Sequence, residues 1–275
     1  MDKPSWPSLL VPEPENGEVF ELFHENSKTV RHRPGLPDEE VRARMMETRE
    51  GLRYRGYPTF PLAAEPAPLA SSLAEAITSR ESARALRPRR LALAELTALL
   101  RYSYGIRSDR TAEGFPRPCR VVPSGGALYP LDVYVHTSRV EGLPPGIFYY
   151  DPSASCLRHV VEGDRTREIA RALVQPEIAM GASATFFVAA FFERATFKYG
   201  DRAYRFILLE AGHLAQNLNL VATALGLGVL NIGGYFDHEI DALLELDGLT
   251  RSTVYVIATG ERVEERPRSG SQAEA

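Results

Sequence analysis

Apolar positions along this chain fall into compact, periodic blocks only from about residue 71 onward. Ser72 stands where a helix cap is wanted, and Leu73, Ala76 and Ile77 share one face of a helix running to about Ser79. Leu96, Leu99, Leu100 and Ser103 repeat at helical spacing over Leu93–Tyr104, with Gly105 as the stop. Short runs at Asp132–Thr137, Gly146–Tyr150 and Leu157–Val161 predict strands, and Asp164–Leu173 predicts a helix. Ala184–Phe192 is apolar sequence of strand length, interrupted only by Thr185, expected in the middle of a sheet. Asp201–Leu225 is a helix of about seven turns, apolar nearly all round, and so belongs in a core or an interface. Its polar stripe is Glu210, His213 and Asn217, which must find partners if buried. Val229–Ile232 and Thr253–Ala258 predict two more strands around a helix at about His238–Leu246. Two helices precede the strands, and the order is not a clean βα alternation. The pattern therefore predicts one α+β domain with a mixed central sheet around a long buried helix.

Residues 1–70 read differently, with ten prolines between Pro4 and Pro68 and one short, highly charged helical stretch that Asp38 can cap. Such a segment cannot make a core alone, so it reads as an arm lying on something else. Ala63–Ala70 reads as a linker into a main domain at 71–262, followed by a frayed tail at 263–275.

Composition narrows the function classes. At 275 residues, 44% apolar and 25% charged, the chain has the make-up of an ordinary globular protein with ample core. A net charge of −4 gives no electrostatic case for nucleic acid or an anionic membrane. The sequence has no membrane-spanning apolar run and no signal-peptide apolar region, so a cytoplasmic location is the default. Cys119 and Cys156 fit neither a disulfide framework nor a zinc site. His24, His136 and His213 lack metal-ligand spacing with a carboxylate, so no metal is expected. The cations are lopsided: three lysines (Lys3, Lys28, Lys198) against 29 arginines. A lysine that persists in such a chain marks a place where a compact ammonium serves and a guanidinium does not.

Four stretches could carry chemistry. Arg80, Ser82 and Arg84 form a cationic, hydrogen-bonding cluster suited to a phosphate, although a solvated helix end reads the same way. In Pro123-Ser124-Gly125-Gly126 the paired glycines either let backbone approach a flat ligand or make a plain turn. Gly233 and Gly234 repeat that option after a strand, and Lys198-Tyr199 sets an ammonium beside a phenol.

Taken in order and spacing, these stretches resemble the SagB-type dehydrogenases of the nitroreductase-like flavoprotein superfamily, over roughly residues 71–262. The motifs are Arg80-Glu81-Ser82-Ala83-Arg84, Pro-Ser-Gly-Gly-Ala-Leu-Tyr-Pro at 123–130, Tyr199 to Asn217, and the glycine pair at 233–234. His24-Glu25-Asn26-Ser27-Lys28 is also similar to the start of that group. The resemblance implies a nitroreductase-like fold, FMN as cofactor, and an intertwined homodimer with each flavin at the subunit interface. It implies Arg80, Ser82 and Arg84 on the phosphate and ribityl chain, and Pro123, Ser124, Gly125 and Gly126 along the isoalloxazine. Asn217, Gly233 and Gly234 join them, with Arg262 closing over the phosphate and Arg266 or Arg268 as the other choices. An acidic residue is expected shortly before the last strand, where this chain has Leu249-Thr250-Arg251-Ser252.

Members that oxidise azolines carry a lysine-tyrosine pair beside the flavin, so Lys198 and Tyr199 are the implied catalytic residues. The reaction turns a thiazoline or oxazoline of a peptide into its azole, with a hydride passing to flavin N5 and a proton to a base. Phenols and ammonium groups ordinarily titrate near 10, so one of the pair must be tuned. Lys198 either stabilises the phenolate of Tyr199 or is itself the neutral base. The implied partners are a heterocycle-bearing peptide and a cyclodehydratase. Two other functions stay open: a nicotinamide-dependent reductase of small molecules, and a non-catalytic flavin-binding scaffold subunit.

Overall fold

The structure is a computed structural model that describes residues 19–29, 35–48, 52–108 and 117–263. Helices α1 (Val19–Asn26) and α2 (Asp38–Glu47) come first, then strand β1 (Thr59–Pro61), α3 (Leu73–Ser79), β2 (Leu86–Arg87) and α4 (Leu93–Tyr104). A small ribbon, β3 (Ile106–Ser108) with β4 (Cys119–Arg120), leads to β5 (Leu131–Thr137), β6 (Gly146–Asp151) and β7 (Cys156–Glu162). Helices α5 (Thr166–Arg171) and α6 (Pro176–Gly181) precede β8 (Ala184–Phe191), and α7 (Glu193–Tyr199) runs into the long α8 (Arg202–Ala224). Strand β9 (Gly228–Ile232), α9 (Asp237–Leu243) and β10 (Arg251–Arg262) complete the order.

One large sheet runs β1-β7-β6-β5-β8-β10-β2, with β9 also on β10. The expectation of a mixed sheet is corrected here. Every ladder between named strands is antiparallel, and parallel pairing is confined to single bridges, Ser82–Val229 and Leu91–Val140. The links joining β5, β6 and β7 are too short for the crossover that a parallel pair requires. Strand alternation then divides the core. Leu131, Val133, Val135, Phe186 and Val188 pack with α4 and α8 on one face. Tyr134, Phe187, Ala189 and Val256 pack with α5, α6 and α9 on the other. With both faces covered, β8 is apolar at every position but Thr185, and Phe186, Phe187 and Val188 are fully buried. Each fully buried side chain of this size contributes about 1.5–3 kcal/mol.

The lead segment is built into this unit. β1 pairs with β7 at the sheet edge, and Val41 and Met45 of α2 are buried in the core. Asp38 is not the cap: Pro37 holds that position and Asp38 is the first helical residue. The other end of α2 is held by two buried arginines. Arg117 Nη2 donates to the Met45 carbonyl at 2.7 Å, and Arg194 Nε to the Thr48 carbonyl at 3.1 Å. Guanidinium groups suit a helix C-terminus, where the carbonyls lack partners.

Two helices depart from their expected burial. α3 has the expected cap, with Ser72 Oγ accepting from the Glu75 N–H at 3.2 Å and the Glu75 carboxylate accepting from the Ser72 N–H at 2.8 Å. Yet Leu73 and Ile77 are 68% and 54% exposed, and only Ala76 is buried. α8 is not buried all round either: Tyr204, Leu208 and Leu209 are 42%, 43% and 60% exposed. Its polar stripe splits accordingly. Glu210 is buried and accepts from the Tyr104 hydroxyl at 2.6 Å, whereas His213 is exposed and Asn217 half-buried. Residues three apart on a helix sit about 60° apart around its axis, which here straddles the edge of the buried face. Before β10, Asp247 supplies the acidic anchor. The Thr250 hydroxyl donates to its Oδ2, and its Oδ1 accepts from the N–H groups of Leu249, Thr250 and Arg251 at 2.8, 2.7 and 2.9 Å, which together hold the carboxyl far below the ordinary range.

Candidate active site

Lys198 and Tyr199 close the last turn of α7, which ends because Gly200 takes a left-handed φ of 56° and turns the chain into α8. Both side chains are half-buried, and Lys198 Nζ lies 5.4 Å from the centre of the Tyr199 ring. The Tyr199 ring meets Phe206 of α8 edge-on, centroids 5.0 Å apart.

The glycine segment comes up against this pair. A Cβ on Gly126 would stand 2.5 Å from Tyr199 Oη and 3.1 Å from Lys198 Nζ, and one on Gly125 would stand 3.3 Å from the Phe206 ring. Backbone strain concentrates here: Gly126, Ala127 and Tyr129 have φ of 64°, 53° and 46°. A left-handed alanine and tyrosine in one loop persist only when their surroundings hold them. Ser124 Oγ accepts from the Tyr129 N–H at 2.9 Å, and buried Arg117 donates to the Leu128 carbonyl. Behind the loop, the Arg120 guanidinium stacks 4.2 Å from the Tyr104 ring centre and donates to the Tyr104 carbonyl at 2.7 Å. Burial pushes the Tyr129 phenol above its ordinary value. A cavity of about 560 Å³ opens on the pair, lined also by Thr196, Phe197, Arg202 and residues 26–29 of the lead segment. Lys28 is among them, and composition held a signal for it: two of the three lysines share one cavity.

The expected phosphate group forms a second cluster elsewhere. Arg80 caps the end of α3, with Ser82 following on bridged chain and Arg84 in a bend, both exposed. The Ala83 N–H donates to the Val229 carbonyl at 2.9 Å, which fastens this segment along β9. Arg262 lies nearby at the end of β10, opposite Leu86, with its guanidinium paired to Glu81. Arg266 and Arg268 lie outside the described residues. Gly233 and Gly234 follow the far end of β9. Gly233 has no atom within 4 Å of the Cβ position and no left-handed φ, so neither packing nor the turn requires glycine there. Asn217 belongs to neither cluster. It lines an apolar groove with Leu73, Ala76, Tyr102 and Val121.

The two clusters stand at opposite ends of α8. Gly125 packs on Phe206 in its first turns, while Ala83 is fastened just past its C-terminus. Phe206 and the C-terminal Ala224 are 18 residues apart, which at about 1.5 Å per residue is roughly 27 Å along α8.

The Nitroreductase family profile matches residues 77–261, and the chain belongs to that family. It is 35% identical over 174 residues to MJ1384 of Methanocaldococcus jannaschii, a protein that carries a nitroreductase name, covering 63% of this chain and 84% of that one. It is 32% identical over 143 residues to the Microcin B17-processing protein McbC of Escherichia coli, covering 50% of this chain and 52% of McbC. Among solved structures, a nitroreductase-named protein of Anabaena variabilis superposes with a TM-score of 0.72 at 26% identity, over 93% of this chain. The chain spans only 49% of that Anabaena protein. The E. coli microcin synthetase McbBCD complex with truncated pro-MccB17 bound shares the fold, with a TM-score of 0.59 at 23% identity, over 90% of this chain and 92% of that one.

Enzymes of this family are FMN-dependent oxidoreductases, and the residues present fit that group. The arginines suit its phosphate. The unconstrained Gly233 leaves room against the backbone, and Asn231 on edge strand β9 holds a buried side-chain oxygen with no hydrogen-bond partner among the described residues.

Proposed function

We propose that this chain is an FMN-dependent dehydrogenase that oxidises azolines in a peptide to azoles. The observation that carries the reading is the Lys198–Tyr199 pair, set against Gly126 on the wall of a cavity large enough for a heterocycle. FMN, when bound, supplies the two-electron acceptor for the hydride. Arg80, Ser82, Arg84 and Arg262 would hold its phosphate end, and Pro123–Gly126 its ring. Lys198 and Tyr199 handle the proton that leaves the neighbouring ring carbon. The phenol accepts it as phenolate with the ammonium as counter-charge, or the amine accepts it directly. The name of McbC, a Microcin B17-processing protein, supports a substrate that is a precursor undergoing processing; the reading takes that precursor as a heterocycle-bearing peptide and adds a cyclodehydratase as partner. The reading takes the enzyme as a homodimer. The separation of the two clusters along α8 supports this, because one flavin reaches both only if each copy contributes one cluster. Exposed Leu73, Ile77, Leu208 and Leu209 supply apolar surface for such a contact.

Three variants test it. Lys198→Ala and Tyr199→Phe are expected to keep the yellow FMN spectrum and lose azole formation by at least a hundredfold, measured by the loss of two hydrogens in the mass spectrum of the peptide. Lys198→Arg keeps the charge and cannot act as a base. Retained activity there assigns the proton to Tyr199, and lost activity assigns it to Lys198. Full turnover in either Lys198→Ala or Tyr199→Phe would sink the assignment.

A further inference from the structure

The lead segment supplies a wall of the candidate cavity that the reaction as described does not use. Asn26, Ser27, Lys28 and Thr29 line it opposite residues 196–200. This wall is fastened to the first turns of α8. Arg205 Nε donates to Ser27 Oγ at 2.8 Å, Arg202 Nη1 donates to the Ser27 carbonyl at 3.3 Å, and the Phe23 and Tyr204 rings meet edge-on at 5.4 Å. Ser27 is 2% exposed. Lys28 therefore projects from an anchored backbone. Its own ion pair is to Glu25, three residues back, and its side chain is 48% exposed.

The charge of the cavity is one-sided. Among the described residues Lys28, Lys198 and Arg202 line it and no carboxylate does; the flat surfaces are Phe197, Tyr199 and Phe206. Lys198 is engaged with Tyr199 in the proton step proposed above, and Arg202 fixes the wall. An ammonium and a guanidinium over aromatic surface match an anion carried on a flat ring, through charge-assisted hydrogen bonds and stacking. Glu25 acts as a built-in counter-charge, a carboxylate that an incoming one displaces.

We propose that Lys28, with Arg202 beside it, recognises the free carboxylate of a heterocycle that ends the peptide, the ring on which Lys198 and Tyr199 act. The inference rests on the azoline-oxidising function for the identity of the ring, but not for the presence of the anion. Lys28 is a specificity residue and takes no part in the proton step.

The test uses the FMN-loaded full chain and two probes, 2-phenylthiazole-4-carboxylate and its carboxamide, titrated by flavin difference absorbance rather than turnover. The acid is expected to bind at least about tenfold more tightly than the amide, as one charge-assisted hydrogen bond implies, and its binding to weaken with added salt. Lys28→Met abolishes the preference by weakening the acid alone, Lys28→Arg retains most of it, and Glu25→Gln strengthens acid binding. With the matching thiazoline acid as substrate, Lys28→Met raises KM and leaves kcat in place. Equal binding of acid and amide to the unaltered protein overturns the proposal, as does an equal loss of both in Lys28→Met. Azole formation from the thiazoline amide with no preference for the acid removes this inference and leaves the azoline reading standing. A Lys28-dependent preference for the acid with no azole formed from either does the reverse.

Discussion

Single residues carry the chemistry here through what they leave out as much as through what they present. Gly126 has both reasons to be glycine: a left-handed φ of 64° and no room for a Cβ beside Tyr199 Oη and Lys198 Nζ. Gly126→Ala is expected to cost about 1 kcal/mol of stability from the backbone alone, read from the denaturant midpoint. It should also cut turnover by at least tenfold, because the added methyl displaces the pair from its geometry. A Gly126→Ala protein with unchanged turnover would mean that the loop does not set the position of Lys198 and Tyr199. Lys28 shows the complementary lesson. Its scarcity made it visible as a residue type, but nothing local placed it in the same cavity as Lys198, since that contact spans 170 positions of chain.

At the level of elements, local signals were read where they are self-contained. Ser72 with Glu75 starts α3 and Gly105 stops α4, because capping and stop signals act within one turn. β10 runs from Arg251 to Arg262, twice the expected Thr253–Ala258. Its length follows from pairing with β8, β9 and β2, which the strand's own residues do not announce. The link between β5 and α5 makes a prediction about pH. His136 on β5 is buried and its Nε2 accepts from the Arg165 N–H at 3.0 Å, which requires that nitrogen to be unprotonated. Burial pushes the imidazole below its ordinary value, with Asp164 at 3.3 Å opposing more weakly. The folded chain therefore resists a proton that the unfolded chain takes up below about 6.5. His136 accordingly adds stability that is fully present above that value and is lost as the pH falls through it. The denaturant midpoint should drop between pH 7.5 and pH 5, and His136→Gln should flatten that part of the profile; an unchanged slope would remove His136 as its source.

The whole molecule makes the most demanding prediction. If each site takes its phosphate cluster from one copy and its Lys–Tyr pair from the other, an Arg80→Ala/Arg84→Ala chain and a Lys198→Ala chain are each inactive alone. Unfolded together, refolded and mixed equally, they should regain about a quarter of the unaltered activity, because half the dimers are mixed and each has one intact site. A mixture that stays inactive while FMN binds the Lys198→Ala copies would place both clusters' work within one chain. The sequence by itself determined the helix and strand blocks, the α+β class, the arginine and glycine motifs and the unusual lysines, because spacing, capping and composition are properties of neighbouring residues. Tertiary structure alone decided the antiparallel pairing, the half-exposed face of α8, the incorporation of β1 into the sheet and the cavity that joins Lys28 to Lys198. Those depend on which distant surfaces exclude water from one another, and short-range pattern does not encode that choice.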